Sequence, residues 1–331
     1  MAREIRRLDV IFKDPSATYR AGENVTGTVT LDLSSEFKVK GVRLVLYGIA
    51  RVGWDENKSY TKGTSSKTSH KNVDVYLDET LILISRTETL KGRQNWPFSV
   101  HLPAYIPGTF EGQYGRVQYW TKIQIERPWK GNIEHTKTFT VLGTLDLNVD
   151  PEAKSMVGIC CKSGPIIGQL YVERRGFVAA QNIPFTAKIE NNSKKKVNVR
   201  VVLSQQAIFR AEGQCRKQMI LLKGITQGDV DPGEEMESVG EIQNIPPLVP
   251  SHLGAGCKNI DLKYLLTLVA VAGGPGKDLE VPVEITIGTK PLRRVEGTSA
   301  SPKLKVKAAA KKESESPVAR KPCKRPIVRK M

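Results

Sequence analysis

The chain carries one pattern of alternating residues twice, and this duplication constrains its fold more than any other feature. Residues 24–33 read N-V-T-G-T-V-T-L-D-L, and residues 182–191 read N-I-P-F-T-A-K-I-E-N, with matching positions at a constant offset of 158. One residue then drops out, and residues 42–46 match residues 199–203 at an offset of 157. Duplication of a whole domain is the simplest cause. We therefore expect two similar bodies on one chain, which favours binding over catalysis.

The alternation within both copies has the period of a β-strand. In the first copy the apolar positions Val25, Val29, Leu31 and Leu33 share one face, and Thr and Asp occupy the other. The second copy repeats this with the inward set Ile183, Phe185, Ala187 and Ile189. Two later segments alternate in the same way, one centred on Tyr119 and one on Tyr264, 145 positions further on. Turn residues separate many such short runs, and convincing amphipathic helices are absent, which predicts an all-β fold.

A chain of 331 residues fits two domains, each large enough for its own core. We predict two tandem immunoglobulin-like antiparallel β-sandwich domains, the first at residues 5–145 and the second at residues 154–292. The join at residues 146–153 is short, so the two domains should be held close together. Residues 55–72 are rich in Ser, Thr and Lys and are interpreted as a long mobile hairpin loop. Residues 293–331 lose the alternation and are predicted to form a disordered basic tail.

Much of the basic charge belongs to this tail. The whole chain has a net charge of +17, and residues 293–331 contain 13 Lys or Arg and 3 Asp or Glu. Such a segment is attracted to anionic lipid or nucleic acid, each Lys or Arg near a membrane contributing about 1 kcal/mol. The predicted contacts with an anionic surface are Lys303, Lys305, Lys307, Lys311, Lys312, Lys321, Lys324 and Arg325.

The tail also contains two candidate phosphorylation sites. Ser301 and Ser316 each precede a proline, and phosphorylation beside Glu313 and Glu315 would reduce the local positive charge. The modified tail could then leave an anionic surface. The alternative interpretation is a solvated tail that aids solubility. Aromatic residues that could stack on bases are missing from the tail, which argues against sequence-specific recognition of nucleic acid.

No catalytic, cofactor or metal site is predicted. The four His residues are scattered and lack metal-binding spacing, and no G-x-S-x-G nucleophile elbow occurs. Residues 273–277 read G-G-P-G-K, but Asp278 stands where a phosphate-binding loop needs Ser or Thr, so we interpret them as a hairpin turn. The five Cys residues lack metal-knuckle spacing. The charged N-terminus has no apolar signal core, and no apolar run reaches about 18 residues, so a cytoplasmic location is expected.

Several short motifs occur in a fixed order along the chain. The first is W-P-F-S-V-H-L-P at residues 96–103, followed by P-G-T-F-E-G at 107–112 and R-P-W at 127–129. The second half opens with C-C-K-S-G-P-I at 160–166 and continues to I-E-N-N-S at 189–193. Together these motifs resemble the arrestin superfamily, and most closely the α-arrestins, also called arrestin-domain-containing proteins. The resemblance covers roughly residues 5–291.

This resemblance implies the arrestin fold and an adaptor role. α-Arrestins hold cytosolic segments of membrane proteins and direct them into endocytosis, endosomal sorting or recycling, which implies recruitment to the plasma membrane or endosomes. Many recruit a ubiquitin ligase through P-P-x-Y motifs in the tail. This chain has no P-P-x-Y motif, and its L-P-A-Y at residues 102–105 lies at the end of a predicted strand. A link to ubiquitination would therefore be indirect.

Two other functions remain open. The chain could be a structural subunit of a retromer-like sorting complex, which would share the fold without choosing cargo itself. It could also be a protein that binds anionic lipid or nucleic acid through its tail. Fixed-stoichiometry co-purification would favour the first alternative, and salt-dependent binding that is lost with the tail would favour the second.

Overall fold

Nearly all regular structure in this protein is β-strand. The computed structural model describes residues 3–59, 65–254, 256–273 and 278–293, and for residues 57–59 and 65–66 it describes the backbone only. Within these residues the helical elements are two short 3-10 turns, Pro151–Lys154 and Ser251–Leu253. The predicted all-β class is confirmed.

The N-terminal sandwich contains eleven strands. In chain order they are β1 Ile5–Phe12, β2 Thr18–Arg20, β3 Asn24–Leu33, β4 Phe37–Val39, β5 Gly41–Ser59, β6 Ser65–Ile84, β7 Glu88–Leu90, β8 Arg93–His101, β9 Phe110–Gly112, β10 Gly115–Arg127 and β11 Lys130–Leu142. One sheet has the order β1-β3-β8, and the facing sheet has the order β2-β11-β10-β5-β6, with β9 paired to β10. The short strands β4 and β7 pair with each other.

The C-terminal sandwich contains nine strands. They are β12 Val157–Ser163, β13 Ile166–Val172, β14 Gly176–Val178, β15 Ile183–Asn191, β16 Val197–Ala211, β17 Gln214–Val230, β18 Glu235–Ile242, β19 Ile260–Ala272 and β20 Leu279–Gly288. The first sheet has the order β12-β13-β15-β18, and the second has the order β14-β20-β19-β16-β17.

The two sandwiches have the same connectivity, as the duplicated sequence predicted. The sheet β2-β11-β10-β5-β6 corresponds strand by strand to β14-β20-β19-β16-β17, and β1-β3-β8 corresponds to β13-β15-β18. The correspondence includes an unusual detail. In each sandwich a three-residue strand pairs in parallel with the last long strand, β2 with β11 and β14 with β20, while the other ladders of these sheets are antiparallel. The repeated sequence segments are β3 and β15.

The inward residues named from the alternation form the core. Val25, Val29, Leu31 and Leu33 of β3 are buried, as are Ile183, Phe185, Ala187 and Ile189 of β15. Thr30 is a departure from the simple pattern, because it is also buried and its hydroxyl donates to Asn95 Oδ1 at 3.1 Å. The buried apolar residues of both sandwiches form one continuous cluster. The two domains therefore meet through a packed junction as well as a short join.

The interpretation of residues 55–72 as a mobile loop is wrong for the part that the structure describes. Strands β5 and β6 continue through this segment with unbroken pairing from Asp55 opposite Ser69 to Ser59 opposite Ser65. The strands project beyond the N-terminal sandwich, and their inner side chains Trp54 and His70 are each 8% exposed. Among the described side chains of this segment, those of Asp55, Ser69 and Lys71 are exposed, whereas Trp54 and His70 pack towards the C-terminal sandwich.

The join is tied to the end of the C-terminal sandwich. The backbone N–H of Leu145 donates to Thr289 Oγ1 at 2.9 Å, and Asn148 Nδ2 donates to the carbonyl of Pro291 at 2.9 Å. A backbone bridge also links Asp146 with Lys290. The predicted tail, apart from Arg293, and residues 274–277 of the predicted hairpin turn lie outside the described residues.

Candidate binding surface and domain seam

An apolar stripe runs along the outward face of the sheet β2-β11-β10-β5-β6. We call this surface the N-face; its apolar residues are Val45, Tyr47, Val73, Val75, Ile82 and Trp120. Tyr47 lies directly opposite Trp120 on the neighbouring strand, and their ring centroids are 5.2 Å apart. Both rings are partly exposed. Such paired aromatic rings offer a rigid apolar platform at low conformational cost.

The edge strand β6 extends this platform with aliphatic side chains. Val73, Val75 and Ile82 are 49%, 51% and 66% exposed. Isolated exposed apolar residues are common on protein surfaces, but these three share one sheet face with the Tyr47–Trp120 pair. Asp78 and Thr80 lie between Val75 and Ile82 on the same face, opposite Tyr47 and Val45, so polar side chains interrupt the apolar ones. Exposed apolar side chains grouped on one sheet face are typical of a site that contacts another molecule.

Charged residues border the stripe, and most of the cations are paired. Arg43 pairs with Glu126, Lys122 lies 3.5 Å from Glu134, and Arg116 lies 3.9 Å from Glu111. Within the described part of the chain, Arg51 and Lys71 have no carboxylate within 4.0 Å, in contrast to these three. Arg51 and Lys71 are therefore available to an acidic group of a binding partner. The paired cations could also exchange partners, because an ion pair on the protein surface contributes little to stability.

A groove of about 600 Å³ lies at the same end of the N-face. Its walls include Arg51, Trp54, Lys71, Tyr114 and Arg116. Asp55 and Glu111 also line the groove, and they pair with Lys67 and Arg116. The aromatic walls together with Arg51 and Lys71 suit a segment that carries apolar and acidic side chains. The N-face and this groove together could hold an extended peptide.

Beyond the groove lies the seam, where residues 54–56, 67–76 and 107–115 meet residues 209–218, 251–254 and 256–260. Its apolar centre is the ring of Phe209, whose centroid lies 6.4 Å from that of Phe110 and 5.7 Å from that of Tyr114. Glycine is required beside it, because a Cβ on Gly112 would lie 2.7 Å from the Phe209 ring. Phe209 therefore packs directly against the N-terminal sandwich.

A polar cluster surrounds the apolar centre of the seam. Arg216 of β17 donates to Glu56 Oε1 at 3.1 Å and lies 5.8 Å above the ring of Trp54. The ring nitrogens of His70 lie 3.6 Å from Glu56 and 3.3 Å from Glu212 of the β16–β17 turn. These contacts join the projecting β5–β6 hairpin to the C-terminal sandwich.

The 3-10 turn Ser251–Leu253 forms a strap across the seam. The backbone N–H of Gly108 donates to the carbonyl of Leu253 at 2.8 Å, and Pro107 forms a backbone bridge with Gly254. Gly254 has a φ of +88°, and a Cβ there would lie 2.6 Å from the backbone nitrogen of Thr144, so the position requires glycine.

His252 anchors this strap to Asp261, with Nδ1 and Oδ1 2.7 Å apart. The hydrogen bond raises the pKa of His252 above its ordinary value of 6.5, although partial burial opposes the shift. Burial acts to raise the pKa of Asp261, but the hydrogen bond and charge of His252 outweigh it and hold that pKa below the ordinary value. The two shifts favour an ionised pair.

The site residues predicted from the sequence are not among the described residues. The candidate surface contacts Lys303, Lys305, Lys307, Lys311, Lys312, Lys321, Lys324 and Arg325 are outside the described residues, as are Ser301 and Ser316. They remain predictions. The sequence reasoning missed Tyr47 and Trp120 as a pair. The available signal was Trp120 itself, a large aromatic residue at a polar position of the alternation.

Within the part of the chain that the structure describes, no group of three His, Cys, Asp or Glu side chains is arranged to hold a metal ion. No helix among the same residues is long and apolar enough to cross a membrane. Cys160 is exposed and Cys161 is partly buried, consistent with adjacent residues of a strand that point to opposite faces.

Comparison with known proteins agrees with this architecture. Residues 8–148 match the family described as "Arrestin (or S-antigen), N-terminal domain", and residues 162–292 match "Arrestin (or S-antigen), C-terminal domain". The chain is 28% identical to arrestin domain-containing protein 17 of Caenorhabditis elegans over 315 residues, which cover 87% of this chain and 71% of that protein. It is 27% identical to the human (Homo sapiens) thioredoxin-interacting protein over 299 residues, covering 86% of this chain and 75% of that protein.

Proposed function

Because the chain belongs to the arrestin superfamily, and within it to the α-arrestins, we propose that it is an adaptor that captures cytosolic segments of membrane proteins. In this proposal it acts in the cytoplasm, is recruited to the plasma membrane or endosomes, and directs the captured proteins into endocytosis, endosomal sorting and transport. Members of this superfamily are generally adaptors without enzymatic activity.

The observation that carries the proposal is the N-face. An extended segment lying across β5 and β10 would place apolar side chains on Tyr47 and Trp120. Its acidic groups could then reach Arg51 and Lys71, which have no ion-pair partner among the described residues. Aromatic anchors contribute most of the affinity at many interfaces, and uncompensated charges add orientation and a faster association rate.

The seam supports the same role. A bound membrane-protein segment that extends across both sandwiches would need the two domains to keep a fixed distance from each other. Phe209 and the His252 strap join the sandwiches into one packed body. Preorganisation of this kind lowers the entropy cost of binding.

The test is capture of synthetic cytosolic tails of membrane proteins by the full chain. Wild type should retain a subset of tails above scrambled versions of the same composition, and Tyr47→Ala combined with Trp120→Ala should lose that subset. Tyr105→Ala combined with Trp129→Ala is the matched control, because Tyr105 and Trp129 are 87% and 101% exposed and lie outside the N-face. Equal capture by both double variants would refute the N-face as the receptor.

A retromer-like structural role and a tail-driven role are the two alternatives. Purification of the native protein in a complex of fixed stoichiometry, with no retention of tails by the isolated chain, would favour the first. Any ubiquitin ligase would join through another protein, since the chain contains no P-P-x-Y motif.

A further inference from the structure

The edge strand of the C-terminal sandwich exposes three consecutive apolar side chains. Met219, Ile220 and Leu221 of β17 are 55%, 41% and 66% exposed. Met219 and Leu221 lie on the outward face of the sheet, opposite Gln206 and Ser204 of β16. Exposed apolar residues on an edge strand are a liability that proteins normally avoid, so their presence here calls for a function.

The backbone of this strand is open on one side. Among the described residues β17 forms a ladder with β16 alone. From Gln214 to Leu221 it pairs regularly with Ser204 to Ala211, through eight consecutive pairs without a bulge. From Arg216 to Leu221 the outer edge therefore presents a regular row of backbone donors and acceptors, about 20 Å long at roughly 3.3 Å per residue.

The charges on β17 have one sign along this stretch. Residues 214–228 contain Arg216, Lys217 and Lys223 and no Asp or Glu. Arg216 is engaged with Glu56 across the seam. Lys217 and Lys223 flank the apolar trio, and neither lies within 4.0 Å of a carboxylate in the described part of the chain, unlike Lys263, which pairs with Glu284 at 2.8 Å. Lys217 shares the outward face with Met219 and Leu221, because the three alternate along the strand.

From these observations we propose that the β17 edge binds an extended peptide by strand addition, and that the peptide alternates apolar residues with an acidic residue. This proposal rests on the proposed adaptor function and adds a second receptor surface to the N-face. Backbone hydrogen bonds to the open edge supply affinity, and Met219 and Leu221 accept the apolar side chains. Lys217 selects an acidic peptide residue, which lies two positions along the peptide from the apolar residue that contacts Met219.

Three occupants of this edge can be compared by charge: an acidic peptide of a partner, the tail of this chain and the β17 strand of a second copy. The tail segment 303–307 reads K-L-K-V-K and would place Lys beside Lys217 or Lys223. An antiparallel pair of β17 strands from two copies, centred on Ile220, would place Lys217 near Lys223 of the other copy. Like charges directly opposite each other are unfavourable, so an acidic segment fits this edge better than either.

The test is titration of the full chain with a fluorescent probe peptide, Thr-Asp-Thr-Val-Thr-Val-Thr-Asp, whose length matches the eight regular pairs. One face of this peptide carries Asp, Val, Val and Asp. When the two Val residues lie opposite Met219 and Leu221, an Asp lies opposite Lys217 in either strand direction. Leu221→Lys should weaken binding by about tenfold or more. The matched control is Val239→Lys on β18, the edge strand of the other sheet, where Val239 is 80% exposed. This control should bind like wild type.

Two further changes test the proposal, one that reverses the charge of residue 217 and one that removes backbone donors from the probe peptide. Lys217→Glu should weaken the Asp probe and strengthen a probe with Lys in place of Asp. Methylation of alternate backbone nitrogens of the probe should abolish binding, because a strand cannot add without those donors. Binding that survives both changes would overturn the inference.

Failure of this inference can be told apart from failure of the proposed function. If membrane-protein tails are captured in a Trp120-dependent manner while Leu221→Lys changes neither tail capture nor probe binding, the β17 proposal is overturned and the adaptor function stands. If no tail is captured at all, the proposed function itself fails.

Discussion

Two buried tyrosines have the same role in the two sandwiches. Tyr119 Oη donates to the carbonyl of Pro107 at 2.6 Å, and Tyr264 Oη donates to the carbonyl of Val249 at 2.6 Å. Both rings are fully buried, and burial raises the pKa of each hydroxyl, that of Tyr264 to about 12. Each tyrosine therefore pins the proline-containing segment that precedes its strand.

We expect Tyr119→Phe and Tyr264→Phe each to lower the free energy of unfolding by about 1–3 kcal/mol, because a buried carbonyl loses its donor. Urea denaturation followed by far-UV circular dichroism would measure the change. Tyr105→Phe is the control, since Tyr105 is 87% exposed and should leave stability unchanged. Unchanged stability in both buried-site variants would show that these hydrogen bonds are dispensable.

The ion pair between His252 and Asp261 predicts a pH dependence of the strap. Because the folded-state pKa of His252 is raised above 6.5, its stabilising contribution is complete below the unfolded-state pKa and is lost as the pH rises through the folded-state pKa. His252 is about half exposed, so the contribution after solvent screening should be about 0.5 kcal/mol.

Denaturation of wild type and His252→Gln across pH 5 to 9, a range set around the ordinary His pKa of about 6.5, tests this dependence. The stability difference between the two proteins should be present at the acidic end and shrink towards the alkaline end. A difference that grows with rising pH would contradict the assignment of a protonated His252 to the folded strap.

Among the strands, the ends of β5 and β6 could not be predicted from the sequence. The alternation identified β3, β10, β15 and β19 because one face of each strand meets a core in its own sandwich. The projecting ends of β5 and β6 instead meet the surface of the other domain, through Trp54 and His70, so residues 55–72 lack a repeating apolar face in the sequence. Contacts between distant parts of the chain leave no periodic signal, and the same reason hid Phe209 as the centre of the seam.

The hairpin should depend on the seam for its stability. Trp54→Ala removes contacts with Arg216, Tyr114 and His70, and we expect a loss of about 3 kcal/mol in stability, as for other large aromatic truncations in packed sites. Hydrogen exchange should accelerate at the backbone amides of residues 67–72. Trp129→Ala is the matched control, because Trp129 is 101% exposed. Exchange in the Trp54 variant equal to that of the control would mean that the hairpin stands without the seam.

For the molecule as a whole, the sequence was enough for the fold class and the duplication but not for the binding surfaces. The repeated strands predicted two similar sandwiches, and the shared connectivity confirms this. Tyr47 and Trp120 could not be paired from the sequence, because their contact depends on the register between β5 and β10. Met219 to Leu221 could not be singled out from the sequence, since only the sheet order places β17 at an edge.

The basic tail provides a further prediction for the whole chain. Removal of residues 294–331 keeps Arg293, whose backbone N–H donates to Asn148 Oδ1 at 2.8 Å, and should leave the fold intact. Binding to vesicles that contain phosphatidylserine should weaken and become less sensitive to salt, because most of the net charge is lost. Vesicle co-sedimentation at two salt concentrations measures this, with neutral vesicles as the control. Equal binding before and after truncation would assign the tail to solubility alone.

The proposed adaptor function requires the N-face to be the receptor for cytosolic segments of membrane proteins. Its most direct test is the equilibrium dissociation constant of one captured tail for wild type, Trp120→Ala and Trp129→Ala. We expect a dissociation constant at least about tenfold higher for Trp120→Ala and an unchanged constant for Trp129→Ala. An unchanged dissociation constant for Trp120→Ala, with the variant folded as wild type, would contradict the account.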